Sequence, residues 1–303
     1  MNEWERWIGV ARTSSVLLDA SQANRMAATL DREPTFDNGD ELPPGWHWLY
    51  FHDIVPSSRL GSDGHPALGE TMPPVPLPRR MWAGGTLAFD SPLCLGDTAT
   101  RTTTVRDVTE KHGRTGDLYF VTVDHGIAVD GQPAITETQT IVYREMPTGA
   151  VPIEGPTARA DAEFSASWQL DSTALFRYSA LTFNGHRIHY DADYARSVEG
   201  YANVVVHGPL LATLLMDLAL RNHGPLHTFS YRARSPLVLP DGFTVNGRRD
   251  GGATSLWVAS PDGRLAMSAE VDEAFRAPSP RTSSGQSNQP VTSTTRSVPP
   301  DDA

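Results

Sequence analysis

Ser235-Pro236-Leu237-Val238-Leu239-Pro240-Asp241-Gly242 repeats Ser91-Pro92-Leu93-Cys94-Leu95-Gly96-Asp97 almost position for position. Each copy follows a β-rich run and opens a further series of them. Upstream of each lies an apolar segment introduced by glycine, Gly45 in the first half and Gly208 in the second. A helix followed by antiparallel strands, given twice in one chain, predicts two related units that pack together. The fold class is α+β.

Outward from the second copy, the helix signals agree with one another. Gly208 precedes Pro209 at the first helical position, and Leu210, Leu211, Leu214, Leu215 and Leu218 form one stripe. Arg221 sits in the last turn and Gly224-Pro225 ends it, so a helix is predicted over 209–222. Strands are predicted over 165–170, 228–233, 237–239, 243–249, 254–260 and 265–275. The first half reads similarly, with strands at 86–89, 98–108, 118–129 and 135–143 and hairpin turns at 112–116 and 130–131. Trp46-His47-Trp48-Leu49-Tyr50-Phe51 reads as a buried helix, with strand as the rival. Residues 1–32 carry helical spacing at Trp4, Trp7 and Ile8, and Ser21 is placed to cap a second helix through Leu30. The proline-rich stretch 56–80 is either a functional clamp or a surface loop in polyproline conformation. Two units, 1–146 and 156–277, are expected on either side of a linker at 147–155. The Ser/Thr/Pro-rich residues 278–303 are expected to be disordered.

The 303 residues are 39% apolar and 20% charged, enough for two cores. A net charge of −11 argues against a nucleic-acid partner, because that affinity rests on neutralising phosphates. One cysteine, Cys94, excludes an internal disulfide and a multi-Cys zinc site. No stretch approaches the ~18 apolar residues of a membrane span, and the start of the chain is not of signal-peptide type. A cytoplasmic protein with no membrane partner is the expectation.

The chemistry concentrates in Phe183-Asn184-Gly185-His186-Arg187-Ile188-His189-Tyr190-Asp191 and in Val206-His207-Gly208. Imidazole suits proton transfer near neutral pH. His189 stands out because it lies on the approach to a helix, with Asn184 five positions before it. The first turn of a buried helix presents unpaired N–H groups in a low-dielectric site, where they stabilise a developing oxyanion. Gly208 has no side chain to keep a substrate oxygen away, and Pro209 has no N–H to give.

These segments resemble the signature of the MaoC-like, R-specific enoyl-thioester hydratases and dehydratases, which have the hot-dog fold. The resemblance aligns Asn184, His189, Tyr190-Asp191-Ala192 and His207-Gly208 with that family's motif. It implies a double hot-dog, each unit an antiparallel sheet wrapped round a central helix, with a non-catalytic first half that holds the acyl group. A narrower likeness adds Asp63-Gly64-His65-Pro66 and the run Pro74 to Gly85. It resembles the subgroup of mesaconyl-C4-CoA (3-methylfumaryl-CoA) and itaconyl-CoA hydratases and 3-hydroxyacyl-thioester dehydratases.

Where the family pattern has an Asp, this chain has Asn184, which exchanges no proton. Asn184 is therefore expected to orient water or the ring of His189, His189 to be the base, and the Gly208 N–H to polarise the thioester carbonyl. Arg79, Arg80 and Arg187 are expected as cations for a substrate carboxylate. Trp82, His186, Asp191 and His207 complete the expected substrate contacts, with Asp191 also a candidate to tune His189. No metal or added cofactor is expected, since coenzyme A arrives with the substrate, and a homodimer is expected. Three alternatives stay open: a dehydratase acting on acyl carrier protein, a hot-dog thioesterase, and an acyl-CoA binder without turnover.

Overall fold

The computed structural model describes residues 2–113 and 116–272. In chain order the first half supplies β1 (Ala11–Leu17), α1 (Ala20–Thr29), β2 (Arg79–Phe89), β3 (Thr98–Gly113), β4 (Gly116–Val129) and β5 (Gln132–Arg144). The second half supplies β6 (Phe164–Trp168), α2 (Ser172–Leu181), α3 (Ala192–Ser197), α4 (Gly208–His223), β7 (Thr228–Ala233), β8 (Phe243–Asp250), β9 (Ala253–Ala259) and β10 (Leu265–Asp272). The strands form one antiparallel sheet in the order β1-β3-β4-β5-β2-β7-β10-β9-β8-β6. The halves meet at β2 and β7, with Gly84 opposite Arg232 and Ala88 opposite Thr228.

α4 is apolar on every side, and each residue from Leu210 to Ala219 is buried. It packs on β6 to β10, so the second half of the sheet wraps it. Its buried Asp217 accepts from Arg32 Nη1 at 2.9 Å and Arg221 Nη2 at 2.7 Å, which joins the segment after α1 to the central helix. One core cluster spans both halves and contains Leu18, Trp46, Leu49 and Leu87 together with the leucines of α4.

The repeat noticed in the sequence has the same hydrogen bonds in both copies. Asp90 and Ser91 N–H donate to Ala134 O at 2.9 and 3.3 Å, and Arg234 and Ser235 N–H donate to Ala266 O at 2.8 and 3.2 Å. Leu42 N–H donates to Leu93 O at 2.7 Å where Val206 N–H donates to Leu237 O at 2.9 Å. Leu95 N–H to Asp40 O and Leu239 N–H to Val204 O complete the match. The double hot-dog is thus two copies of one hydrogen-bonding scheme.

Several local expectations are corrected. The buried helix predicted after Gly45 is a single 3₁₀ turn, Trp46–Leu49. Gly45 is left-handed at φ 83°, and a Cβ there would lie 2.3 Å from Met216 Cε of α4. The turn is therefore pressed against the neighbouring helix, which takes the central place. Residues 1–32 give a 3₁₀ turn (Glu3–Trp7), the edge strand β1 and then α1. α1 is capped by Asp19, whose carboxylate accepts from Gln22 N–H, rather than by Ser21. Residues 237–239 are a loop with one bridge, Val238 to Val205, instead of a strand. The expected tail 278–303 and the end of the strand predicted over 265–275 lie outside the described residues, as do residues 114–115 of the predicted 112–116 turn.

At the β2–β7 seam a Cβ on Gly85 would sit 2.4 Å from both Thr138 O and Tyr231 Oη. Gly85→Ala should lower stability by about 1–3 kcal/mol or more, the range for overpacking. The measurement is the midpoint of urea unfolding, with the slope unchanged.

Candidate active site

Two loops build the site. One follows α2: Asn184 N–H donates to Ser179 O at 2.8 Å, which ends the helix, and Asn184 Oδ1 accepts from His186 N–H at 3.0 Å. The other is the start of the 56–80 stretch. Gly64 and Gly185 touch backbone to backbone, for a Cβ on Gly64 would lie 2.0 Å from Gly185 O. Arg187 N–H donates to Asp63 O at 2.9 Å, and Arg187 Nη1 donates to Ser62 O at 3.1 Å. The two Gly-His dipeptides are thereby stacked, with the His65 and His186 rings 4.6 Å apart. This region of the proline-rich stretch packs on the loop that carries His186 and His189.

His189 is buried, and its Nδ1 lies 2.7 Å from Val205 O. A carbonyl only accepts, so Nδ1 carries the proton and Nε2 keeps its lone pair. The ring stacks on His207 at 3.7 Å between centroids and meets His186 edge-on at 5.4 Å. Burial, then the neighbouring His186, hold its pKa down to about 3, so the imidazole is neutral across the physiological range. His207 is fully buried, with Nε2 2.8 Å from Ser179 Oγ, and burial pushes its pKa well down too.

α4 begins at Gly208, whose N–H has no partner within the helix. Trp82 of β2 lies against this glycine, since a Cβ there would be 2.8 Å from Trp82 Cε3. Trp82 is held by Tyr231 (stacked, 4.3 Å) and by Trp48 (edge-on, 5.7 Å). Trp48 Nε1 donates to Glu137 Oε1 at 3.0 Å, and Gln139 and His47 also bind that buried carboxylate. Burial pushes Glu137 up, yet the His47 hydrogen bond and charge outweigh it and hold the group near about 2.

His189, Gly208, Asn184, His186, Trp82 and Arg80 line one cavity of about 610 Å³. The lining also includes Arg12, Arg101, Arg144 and Arg234, and Asp53 is the one carboxylate among the described residues that line it. A protein of net charge −11 thus keeps an arginine-rich hollow, which suits an anionic ligand.

Four of the expected contacts are placed elsewhere. His207 is fully buried, stacks behind the His189 ring and does not line the cavity. Arg79 is buried and tied to Glu199, Nε to Oε2 at 2.7 Å, and does not line the cavity. Arg187 binds Asp191 Oδ2 through Nε (3.1 Å) and Nη2 (2.7 Å). Asp191 caps α3 by accepting from Tyr194 N–H at 3.0 Å, and these bonds lower its pKa. Neither lines the cavity, so Asp191 clamps a helix and an arginine instead of tuning His189. His65 and Glu199 carry no role in the sequence reading. The Asp63-Gly64-His65-Pro66 likeness and the Gly-His repetition at 64–65 and 185–186 were the signals for His65, and nothing local marks Glu199. Asp63, His65 and His186 bring donor atoms within 4.8 Å of one another, but the Arg80 guanidinium lies 3.1 Å from Asp63 and opposes a cation there.

A sheet wrapped on a buried helix, with its hydrogen-bonding scheme repeated in the other half of the chain and imidazoles gathered at the helix start, defines a double hot-dog protein of the MaoC-like kind. Solved structures agree on the fold. A MaoC-like dehydratase from Phytophthora capsici superposes with a TM-score of 0.66 at 14% identity, over 91% of this chain and 100% of that one. A double hot-dog protein of Mycobacterium tuberculosis gives 0.56 at 13% identity, over 89% and 97%. The chain belongs to the hydroxyacyl-thioester dehydratase type 2 family, whose profile matches residues 45–239. The mesaconyl-C(4)-CoA hydratase of Chloroflexus aurantiacus is 44% identical over 279 residues, 89% of this chain and 98% of that relative. The mitochondrial hydroxyacyl-thioester dehydratase type 2 of Schizosaccharomyces pombe is 31% identical over 203 residues, 58% and 66% of the two chains. Membership makes the chain a hydro-lyase of the enoyl-thioester kind. No helix of the described residues is long and apolar enough to cross a membrane.

The buried neutral histidines make stability depend on pH. The folded pKa of His189 lies below the ordinary 6.5, so the unfolded chain binds the proton first, and stability falls as pH drops from about 6.5 towards 3. For His189 alone the loss by pH 4 should be on the order of 3 kcal/mol. His65, His125 and His207, also lowered chiefly by burial, add to it in the same direction. Urea unfolding at pH 7 and pH 4.5 measures this, and His189→Gln should lose distinctly less stability on acidification than the parent.

Proposed function

We propose that the protein adds water reversibly across the double bond of a short dicarboxylic enoyl-CoA of the mesaconyl-C4-CoA (3-methylfumaryl-CoA) type. The observation that carries this is the shared cavity of the His189 ring and the Gly208 helix start, in a chain 44% identical to a mesaconyl-C(4)-CoA hydratase over nearly all of that relative. The thioester carbonyl is polarised by the Gly208 N–H. Nε2 of His189 takes a proton from water as the oxygen bonds to Cβ, and the π electrons move onto the thioester oxygen as an enolate. The enolate collapses as the proton taken up by His189 Nε2 is passed to Cα, which restores the neutral imidazole. With Oδ1 bonded to the backbone, Asn184 has its amide NH₂ left to hold the water. His207 supports the His189 ring by stacking.

Trp48, Phe51, Gln139 and Tyr143 line the same cavity, which supports an acyl-holding role for the first half, residues 1–146. Acid–base chemistry by His189 needs no metal or added cofactor. A homodimer in the cytoplasm completes the proposal, and light scattering after gel filtration reads the oligomeric state. A second reading, dehydration of 3-hydroxyacyl chains on acyl carrier protein, is favoured by the family description and by the same arginine-rich lining.

The test is loss of enone absorbance with mesaconyl-C4-CoA. His189→Ala should lower kcat by ~10²-fold or more, the usual cost of removing a general acid–base. Activity within about threefold of the parent would remove His189 from the mechanism. Faster turnover of 3-hydroxyacyl carrier-protein thioesters than of mesaconyl-C4-CoA would select the second reading.

A further inference from the structure

In a mesaconyl-C4 thioester the free carboxylate is bonded to Cβ, the carbon that receives the hydroxyl. Whatever binds it must therefore lie beside His189. Of the arginines expected for this task, Arg79 and Arg187 are occupied and outside the cavity. Arg80 remains, and it lines the cavity together with His65 and His186. Their carboxylate neighbours do not: Asp63 and Glu199 stand behind them, the first 3.1 Å from Arg80 Nε and the second paired with Arg79 at 2.7 Å. Asp63 and Glu199 thus balance the arginine charges from outside the cavity, while Arg80, His65 and His186 line it. His186 is 5% exposed, and its Nε2 has no hydrogen-bond partner, since Glu199 Oε1 at 3.7 Å is out of range. An unpaired buried nitrogen is costly, and a ligand oxygen removes that cost.

We propose that His65, His186 and Arg80 form a carboxylate subsite beside His189 that selects enoyl thioesters with a carboxylate on Cβ. The subsite rests on the hydratase reading and narrows its substrate. It is assembled by the backbone contact of Gly64 with Gly185, which fixes the two imidazoles 4.6 Å apart. His186 also meets the His189 ring edge-on at 5.4 Å, so the carboxylate is placed within reach of the carbon being hydrated. His65 and His186 are specificity residues, since their task is to bind a group that does not react.

Binding of two unreactive thioesters tests this without turnover. One is the CoA thioester of methylsuccinate with its free carboxylate on Cβ, and the other is butyryl-CoA, which lacks it. Titration calorimetry on the parent protein should show the dicarboxylic thioester bound at least tenfold more tightly. His65→Gln and His186→Gln should each cut that preference severalfold, and the ratio compares two ligands on one folded protein. Equal affinity of the parent for both thioesters would overturn the subsite, and so would an unchanged preference in both variants. The measurement on the parent stands even where a variant does not fold. A divalent metal found at one equivalent by elemental analysis and lost with His65→Gln would also overturn it. The hydratase reading fails separately, through absence of hydration of both mesaconyl-C4-CoA and crotonyl-CoA. Hydration of crotonyl-CoA without a preference for the carboxylate would sink the subsite alone.

Discussion

The closeness of β2 to β7 is the constraint on which the molecule depends. Glycine at 84 and 85 lets the two strands and the Tyr231 side chain approach where any Cβ would collide with Tyr231 or Thr138. That approach makes the sheet continuous from one half to the other and puts the Tyr231 ring flat against Trp82. Trp82, so held, closes on the first residue of α4. A wall of the second half's cavity is therefore a side chain of the first half. The proposed catalytic imidazole, His189, and the Trp82 wall of the same cavity come from different repeats.

Much of the architecture was legible because burial leaves strong patterns. α4 announces itself through Gly-Pro at its start, a leucine stripe and Gly-Pro beyond its end, and it forms over 208–223 against 209–222 predicted. The long strands alternate in burial, as in the β4 residues Tyr119, Val121 and Val123, and β3, β4 and β5 lie close to the predicted ranges. β2 begins at Arg79, well before the predicted 86, because the proline-rich run before it and Gly84-Gly85 within it mask the strand pattern. β1 was missed because Ala-Arg-Thr-Ser-Ser-Val-Leu is an exposed edge strand with no apolar face to read. The segment 46–51 was misread because its aromatics are buried by tertiary packing on α4 and not by a helical face of their own. Short α2 and α3 carry good Asp caps at 171 and 191, but too little periodicity to be predicted before those caps were seen in place.

The site was legible in its reacting groups and less so in its charges. His189, Asn184 and Gly208 share a motif because they surround one volume, and local sequence records that. The partners of an arginine are set by chain segments far apart: Arg79 meets Glu199, and Arg80 meets Asp63. Nothing within a few residues distinguishes the arginine that is locked from the one that faces the cavity. The role of His65 was hidden for the same reason, since it reaches the site only through contact of two glycines 121 positions apart, 185 against 64.

The duplicated hydrogen-bond scheme around Ala134 and Ala266 has a consequence for how the two repeats can diverge. The matched hydrogen bonds relate the loop entering α4 to the loop entering the Trp46 turn, yet only the first carries the Asn184-to-His189 spacing. In an assembly of identical single units, every change would be imposed on two reaction centres at once. On the proposed reading one repeat is released from chemistry, and its Trp48, His47 and Glu137 brace Trp82 from behind. On that reading each polypeptide keeps a single working mouth and devotes its other half to shaping what enters.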